Sequence, residues 1–179
     1  MSVLTIILIV VAAIIVLVLL LALISKNEYA VEREVLIDRP SNEVFNYVKH
    51  LKNQDGYNKW VMLDPTMQKT YKGTDGTEGF AYAWDSTNKQ AGKGEQTITK
   101  IKDGERVDIQ IAFIRPFEAT ADSCILTQPV GDDATNVKWA FKSKMPFPMN
   151  AMLLFMDMDK LLGTDLEISL NNLKGILEK

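Results

Sequence analysis

One histidine and one cysteine, His50 and Cys124, supply all the imidazole and thiol chemistry in 179 residues. A zinc site needs about four nitrogen, sulfur or carboxylate ligands in convergent positions, so no metal and no cofactor is expected. His50 falls near the end of a short, exposed helical pattern, a poor place to hold a proton for transfer. Among the acids, Asp85 stands near a strand end, Asp108 is isolated and Asp122 lies beside Cys124; each reads as part of a strand's wet face. Asp157 and Asp159 are two apart, so on a helix they diverge by about 200° and cannot share a proton. The hydroxyls of Tyr82, Thr97 and Thr99 could donate into a cavity, although such groups commonly satisfy backbone or water. GTDGTEG and GKGE lack the strand-to-helix context of a phosphate loop and read as turns. No catalytic residue is therefore expected.

What the chain does offer is apolar wall. Phe80, Tyr82 and Trp84 share one strand face, as do Trp139 and Phe141, while Phe113 ends the alternation Val107, Ile109, Ile111, Phe113. Met145, Met149, Met152, Met156 and Met158 form an adaptable thioether surface. Tyr82, Trp84, Phe113, Trp139, Phe141, Met149, Met152 and Met156 are the expected ligand-contacting residues. The competing reading is that they fill a solid core.

The elements that position these residues are legible from periodicity. YAVEREVLI (29–37) alternates as a half-buried strand. DRPSNEVFNYVKHL starts a helix, with Ser41 as its N-cap and Val44, Phe45 and Val48 at helical spacing. A second short helix or turn covers 51–62. From Thr66 onward, strand-like runs are separated by the turn signals 72–76, 87–94, 102–105 and 129–135. One amphipathic helix is expected from about Met149 to Leu177, with Gly163 permitting a bend. The apolar run MPFPMNAMLLFMDMD (145–159) is too short to cross a bilayer and contains two prolines, so it reads as the approach to that helix, packed on the sheet. A sheet covered by one long helix is an α+β architecture.

The N-terminus differs in kind. VLTIILIVVAAIIVLVLLLALI (3–24) has no charge and the length needed to span hydrocarbon. We divide the chain into a transmembrane helix (3–25), a short linker (26–28) and a globular domain (29–179). A cleaved signal peptide would need a basic n-region and a small-x-small site, both missing here. Lys26, Arg33 and Arg39 follow the span while Met1 and Ser2 carry no Lys or Arg, so the positive-inside bias places the domain in the cytoplasm of a cell with this single-pass anchor. The net charge of −3 gives no reason to expect nucleic acid, and one cysteine excludes an internal disulfide.

The order of elements, together with RPSNEVFNYV, KGEQTITKIKDGERVDIQIAFIRPFEA and PFPMNAMLLFMDMDKLLGTDLEISLNNLK, resembles the START-like SRPBCC superfamily, specifically its polyketide cyclase/dehydrase-related group, over residues 29–179. The resemblance implies a helix-grip fold, a curved antiparallel sheet around a long C-terminal helix with a hydrophobic cavity between them. It implies binding of a lipid or other hydrophobic small molecule. The alternatives are a polyketide cyclase/dehydrase-like enzyme on a lipophilic substrate, or a membrane-tethered scaffold for protein interaction.

Overall fold

Twenty-two consecutive apolar or near-apolar residues form α1 (Val3–Ile24), begun by Ser2, whose hydroxyl accepts from the Thr5 N–H. In a computed structural model that describes residues 2–179, nearly all of α1 is exposed, and only Ala22 is buried. Met1, part of the flank read for orientation, lies outside the described residues. Among those described, α1 is the one helix long and apolar enough to cross a membrane. It ends at Ser25, whose N–H and hydroxyl both donate to the Leu21 carbonyl.

Three residues later the chain enters β1 (Glu28–Ile37), followed by α2 (Ser41–Val48). Pro40, not Ser41, occupies the N-cap position, and no side chain caps this helix; the fixed φ of proline suits a helix start without a hydroxyl. A 3₁₀ turn (Leu51–Asn53) leads into two single-turn helices, α3 (Gln54–Tyr57) and α4 (Lys59–Met62). Strands β2 (Gln68–Lys72), β3 (Ala81–Asp85), β4 (Lys93–Lys102), β5 (Arg106–Arg115), β6 (Ala119–Val130) and β7 (Ala134–Lys144) complete a seven-stranded sheet in the order β1-β7-β6-β5-β4-β3-β2. Every neighbouring pair is antiparallel. Register shifts between β4 and β5 at Lys93/Gly94 and Ile98/Lys100 bend the sheet, as extra residues on one strand do.

The C-terminal helix is shorter than its periodicity implies. Met149–Leu154 is a 3₁₀ helix, and α5 runs only from Met158 to Leu177. Its start is set by Asp157, whose carboxylate accepts the Lys160 N–H at 2.9 Å; an acceptor at the N-cap satisfies one of the orphan donors of the first turn. Leu166, Leu170, Leu173 and Leu177 are buried at spacings of four, three and four, the stripe that holds α5 on the concave side of the sheet. Each such side chain contributes about 1.5–3 kcal/mol by leaving water.

Gly163 does not bend α5; it makes room for an arginine. A Cβ there would lie 2.1 Å from the Arg33 Nη2. From β1, the Arg33 guanidinium crosses the helix at this point and binds Asp159 with both prongs, at 2.9 and 2.8 Å. The same helix carries Gly175, whose added Cβ would meet nothing within 4 Å. Gly175→Ala should therefore raise the unfolding free energy by about 0.5–1 kcal/mol, the ordinary helix gain. Gly163→Ala should give no such gain, because it dislodges the guanidinium. Urea unfolding of the two variants side by side checks this.

At the opposite edge of β1, the Glu28 carboxylate lies between Lys144 and Lys142, at 2.7 and 2.9 Å. Hydrogen bonds from Lys144 and Lys142 pull its pKa from the ordinary 4.5 to about 2. A depressed folded-state value means that the stabilisation is present above 4.5 and is lost as pH falls toward 2. Glu28→Gln should flatten the acid limb of the stability curve in that window by lowering stability at neutral pH and not at pH 2, and the drop should be small because the pair is exposed. Thermal unfolding from pH 2 to 7 measures both.

Candidate functional site

A cavity of about 250 Å³ lies between the concave sheet face and α5. Its wall follows directly from strand parity. Tyr82 and Trp84 of β3, Ile109, Ile111 and Phe113 of β5, and Trp139 and Phe141 of β7 all point inward, since alternate residues share a face. From α5, Leu162 and Leu166 face them, and α4 adds Trp60 and Val61.

The aromatic rings form a chain of neighbours across this face. Tyr82 meets Trp84 at 6.3 Å between centroids, Trp84 meets Phe113 at 6.2 Å, and Phe113 meets Phe141 at 6.5 Å. Trp84 reaches from β3 to β5 because the intervening β4 residue, Gly94, has no side chain: a Cβ there would sit 2.7 Å from the indole and 2.6 Å from the Ala112 carbonyl oxygen. Gly94, the last residue of the 87–94 turn signal, is thus a strand residue beneath a tryptophan. The indole Nε1 donates to the Ala91 carbonyl at 2.9 Å and so braces the β3–β4 loop at the rim.

Buried polar groups on the wall are few and neutral. Gln54, Asn58, Gln96 and Ser123 are buried there. Ser123 has its proton committed, accepting from Trp139 Nε1 at 2.9 Å and donating to the Ala140 carbonyl at 3.1 Å. The Tyr82 hydroxyl donates to Asp55 at 3.2 Å; burial first, and the Asp55 charge second, push its pKa far up, so the phenol keeps its proton. The charged lining residue is Arg115, which is exposed and paired with Asp85.

Of the residues expected to contact ligand, Tyr82, Trp84, Phe113, Trp139 and Phe141 come together on this wall. Met149, Met152 and Met156 do not. Met149 and Met152 are 41% and 47% exposed, and neighbouring Phe155 is 79% exposed. The Met149–Leu154 helix packs not on the sheet but beside the last turn of α1, where the Asn150 amide donates to the carbonyls of Ala22 and Ser25 at 2.7 and 3.2 Å.

None of the carboxylates considered for acid–base work borders the cavity. Asp85 pairs with Lys93 and Arg115 at a strand end. Asp108 pairs with Arg106, and it lies with Asp122 and Cys124 along the outer, charged face of the sheet. Burial pushes the Cys124 thiol up, away from the reactive thiolate. Thr97, Thr99 and His50 are also absent from the lining; His50 Nδ1 is 2.8 Å from the Asn46 carbonyl oxygen. Among the described residues no group of three His, Cys, Asp or Glu side chains could hold a metal ion.

A family profile described as polyketide cyclase / dehydrase and lipid transport matches residues 29–178. The chain belongs to this family. Solved structures agree on the fold. Truncated norcoclaurine synthase from Thalictrum flavum superposes with a TM-score of 0.59 at 13% identity, over 87% of this chain and 98% of that one. A Thermobifida fusca protein gives 0.60 at 16% identity, over 83% and 95%. A Chromobacterium violaceum protein gives 0.58 at 11%, over 84% and 97%. At such identities the likeness concerns the fold alone, and it bears out the helix-grip architecture expected from the START-like SRPBCC resemblance. No curated relative matches the chain.

The cavity wall also recruits residues that periodicity did not single out. Gln54 and Trp60 sit on single-turn helices too short to show a period, and Asn58 is the residue between them. Gln96 had a readable signal, a polar residue at the inward position between Gly94 and Ile98 on β4.

Proposed function

We propose that this chain is a membrane-anchored binding domain for a lipid or other hydrophobic small molecule, held between the sheet and α5. The observation that carries this reading is the cavity itself, apolar over most of its wall, rimmed by aromatics and bordered by no carboxylate. Pockets for apolar ligands have this character, a greasy wall with a few fixed polar groups.

Two further observations support the anchored half of the proposal. The helix α1 has the length and composition of a span, and the exposed rim of the cavity lies at the sheet end nearest to it. Pairing of Glu28 with Lys144, Ala121 with Ser143, Phe113 with Ala119 and Lys93 with Asp85 puts the start of β1 at the same end as the β5–β6 turn and the β3–β4 loop. Those two connections supply the rim residues Gln90, Ala91 and Pro116. Phe117, Phe147 and Phe155 are exposed at this end, which suits an interface with headgroups. A ligand could then pass between bilayer and cavity over a short path.

Native mass spectrometry of full-length protein released from native membranes, with analysis of co-purifying lipids, tests the reading. A bound apolar molecule is the expected result. A domain that is reproducibly empty, and that stays empty when mixed with extracted membrane lipids, would overturn it.

A further inference from the structure

Three carboxamides meet in the otherwise greasy wall, and their hydrogen bonds fix which end of each faces which. Asn58 caps α4, its Oδ1 accepting the Trp60 N–H at 3.0 Å. Its Nδ2 is thereby turned toward Gln54 and donates to Gln54 Oε1 at 3.0 Å. Gln96 Nε2 donates to the same oxygen, also at 3.0 Å. Both lone pairs of Gln54 Oε1 are now used. The other end of that amide is not satisfied: Gln54 is 1% exposed, borders the cavity, and its Nε2 is buried without a hydrogen-bond partner. Buried donors are almost always paired; this one belongs to a residue of the cavity wall and lies just beneath its surface, so an acceptor oxygen brought against that wall would supply the missing partner.

We infer that the ligand is a neutral amphiphile whose hydroxyl or carbonyl oxygen accepts a hydrogen bond from Gln54 Nε2 while its apolar body lies against Trp84, Phe113 and Trp139. This rests on the cavity reading above and narrows it to a chemical class. The charge state follows from the surroundings. Among the described residues Arg115 is the one cation on the lining, it sits exposed at the rim, and it is already paired with Asp85. A carboxylate or phosphate led into the Gln54 end would lose its water with no positive charge to meet it. A hydroxyl or carbonyl loses far less and gains a fixed donor.

The chain's three tryptophans, Trp60, Trp84 and Trp139, all line the cavity, so intrinsic fluorescence reports its occupancy. Full-length protein in lipid nanodiscs would be titrated with decanol, decane and decanoate, compared at equal mole fraction in the lipid. Decanol should bind at least ten-fold more tightly than decane, and decanoate no more tightly than decane at neutral pH. In Gln54→Met the decanol advantage should vanish while decane binding persists. In Gln54→Glu, which keeps the acceptor for Asn58 and Gln96 but replaces the free donor by an oxygen, preference should pass from decanol to decylamine. Equal binding of decanol and decane by the unsubstituted protein, or decanoate binding tightest, overturns the assignment of Gln54 and leaves the cavity reading standing. Failure of all the probes to perturb the tryptophans overturns both. The comparison within the unsubstituted protein decides the matter even where a variant does not fold.

Discussion

Gly94→Ala is expected to lower the unfolding free energy by about 3 kcal/mol, the upper end of what one surplus methyl costs in a packed interior. The methyl has nowhere to go. On one side it meets the Trp84 ring at 2.7 Å, and on the other the Ala112 carbonyl oxygen at 2.6 Å. The carbonyl belongs to the β4–β5 ladder and cannot retreat without opening it, so the indole must move. Moving the indole breaks its hydrogen bond to the Ala91 carbonyl and separates it from Phe113. Stability and the cavity wall should therefore fail together. Urea unfolding gives the first quantity, and near-ultraviolet circular dichroism of the native state gives the second. An unchanged midpoint with an unchanged aromatic signal would show that Gly94 does not hold the indole in place.

Removal of residues 2–24 is expected to transfer the protein almost completely from the membrane pellet to the supernatant while the domain still folds. The segment carries no charged side chain, and apolar residues at the centre of a span each favour insertion by about 0.3–0.6 kcal/mol. The domain should feel the loss only locally. Asn150 forfeits its bond to the Ala22 carbonyl, worth about 1 kcal/mol. The matching control is an alkaline carbonate wash of the intact chain, which should leave it in the pellet. A truncated chain that stays with membranes, or an intact one that washes off, would refute the anchor. N-terminal sequencing of the membrane-bound form separates a retained span from a cleaved leader.

The inward aromatics were legible because a strand has a period of two: once Trp139 and Phe141 share a face, nothing else in the chain can reverse them. The leucine spacing gave the C-terminal helix, and the family resemblance supplied the curvature of the sheet around it, which no local pattern encodes. The methionine segment was misread for a physical reason. Its apolar spacing is compatible with a helix packed on a sheet, but Pro146 and Pro148 interrupt the chain and Asp157 supplies an N-cap, so α5 starts afresh at Met158. What periodicity cannot say is that a greasy segment outside the core will lie against α1. Gly163 and Gly94 illustrate the same limit. Each is glycine because of an atom far away in sequence, the Arg33 guanidinium and the Trp84 ring, and no window of neighbours contains that information. Gln54 was invisible for a similar cause, since its importance arises from two other amides that saturate only one of its ends.

The clasp between Asn150 and the carbonyls of Ala22 and Ser25 makes the junction an elbow rather than a leash. At about 1.5 Å per residue, the 22 residues of α1 measure roughly 33 Å, slightly more than a typical hydrocarbon slab of about 30 Å. In a thinner bilayer such a rod leans to hide its surplus length, and a stiff elbow swings whatever it carries through the same angle. If α1 spans a bilayer as proposed, lipid thickness would thus set the attitude of the whole head, with no signal molecule involved.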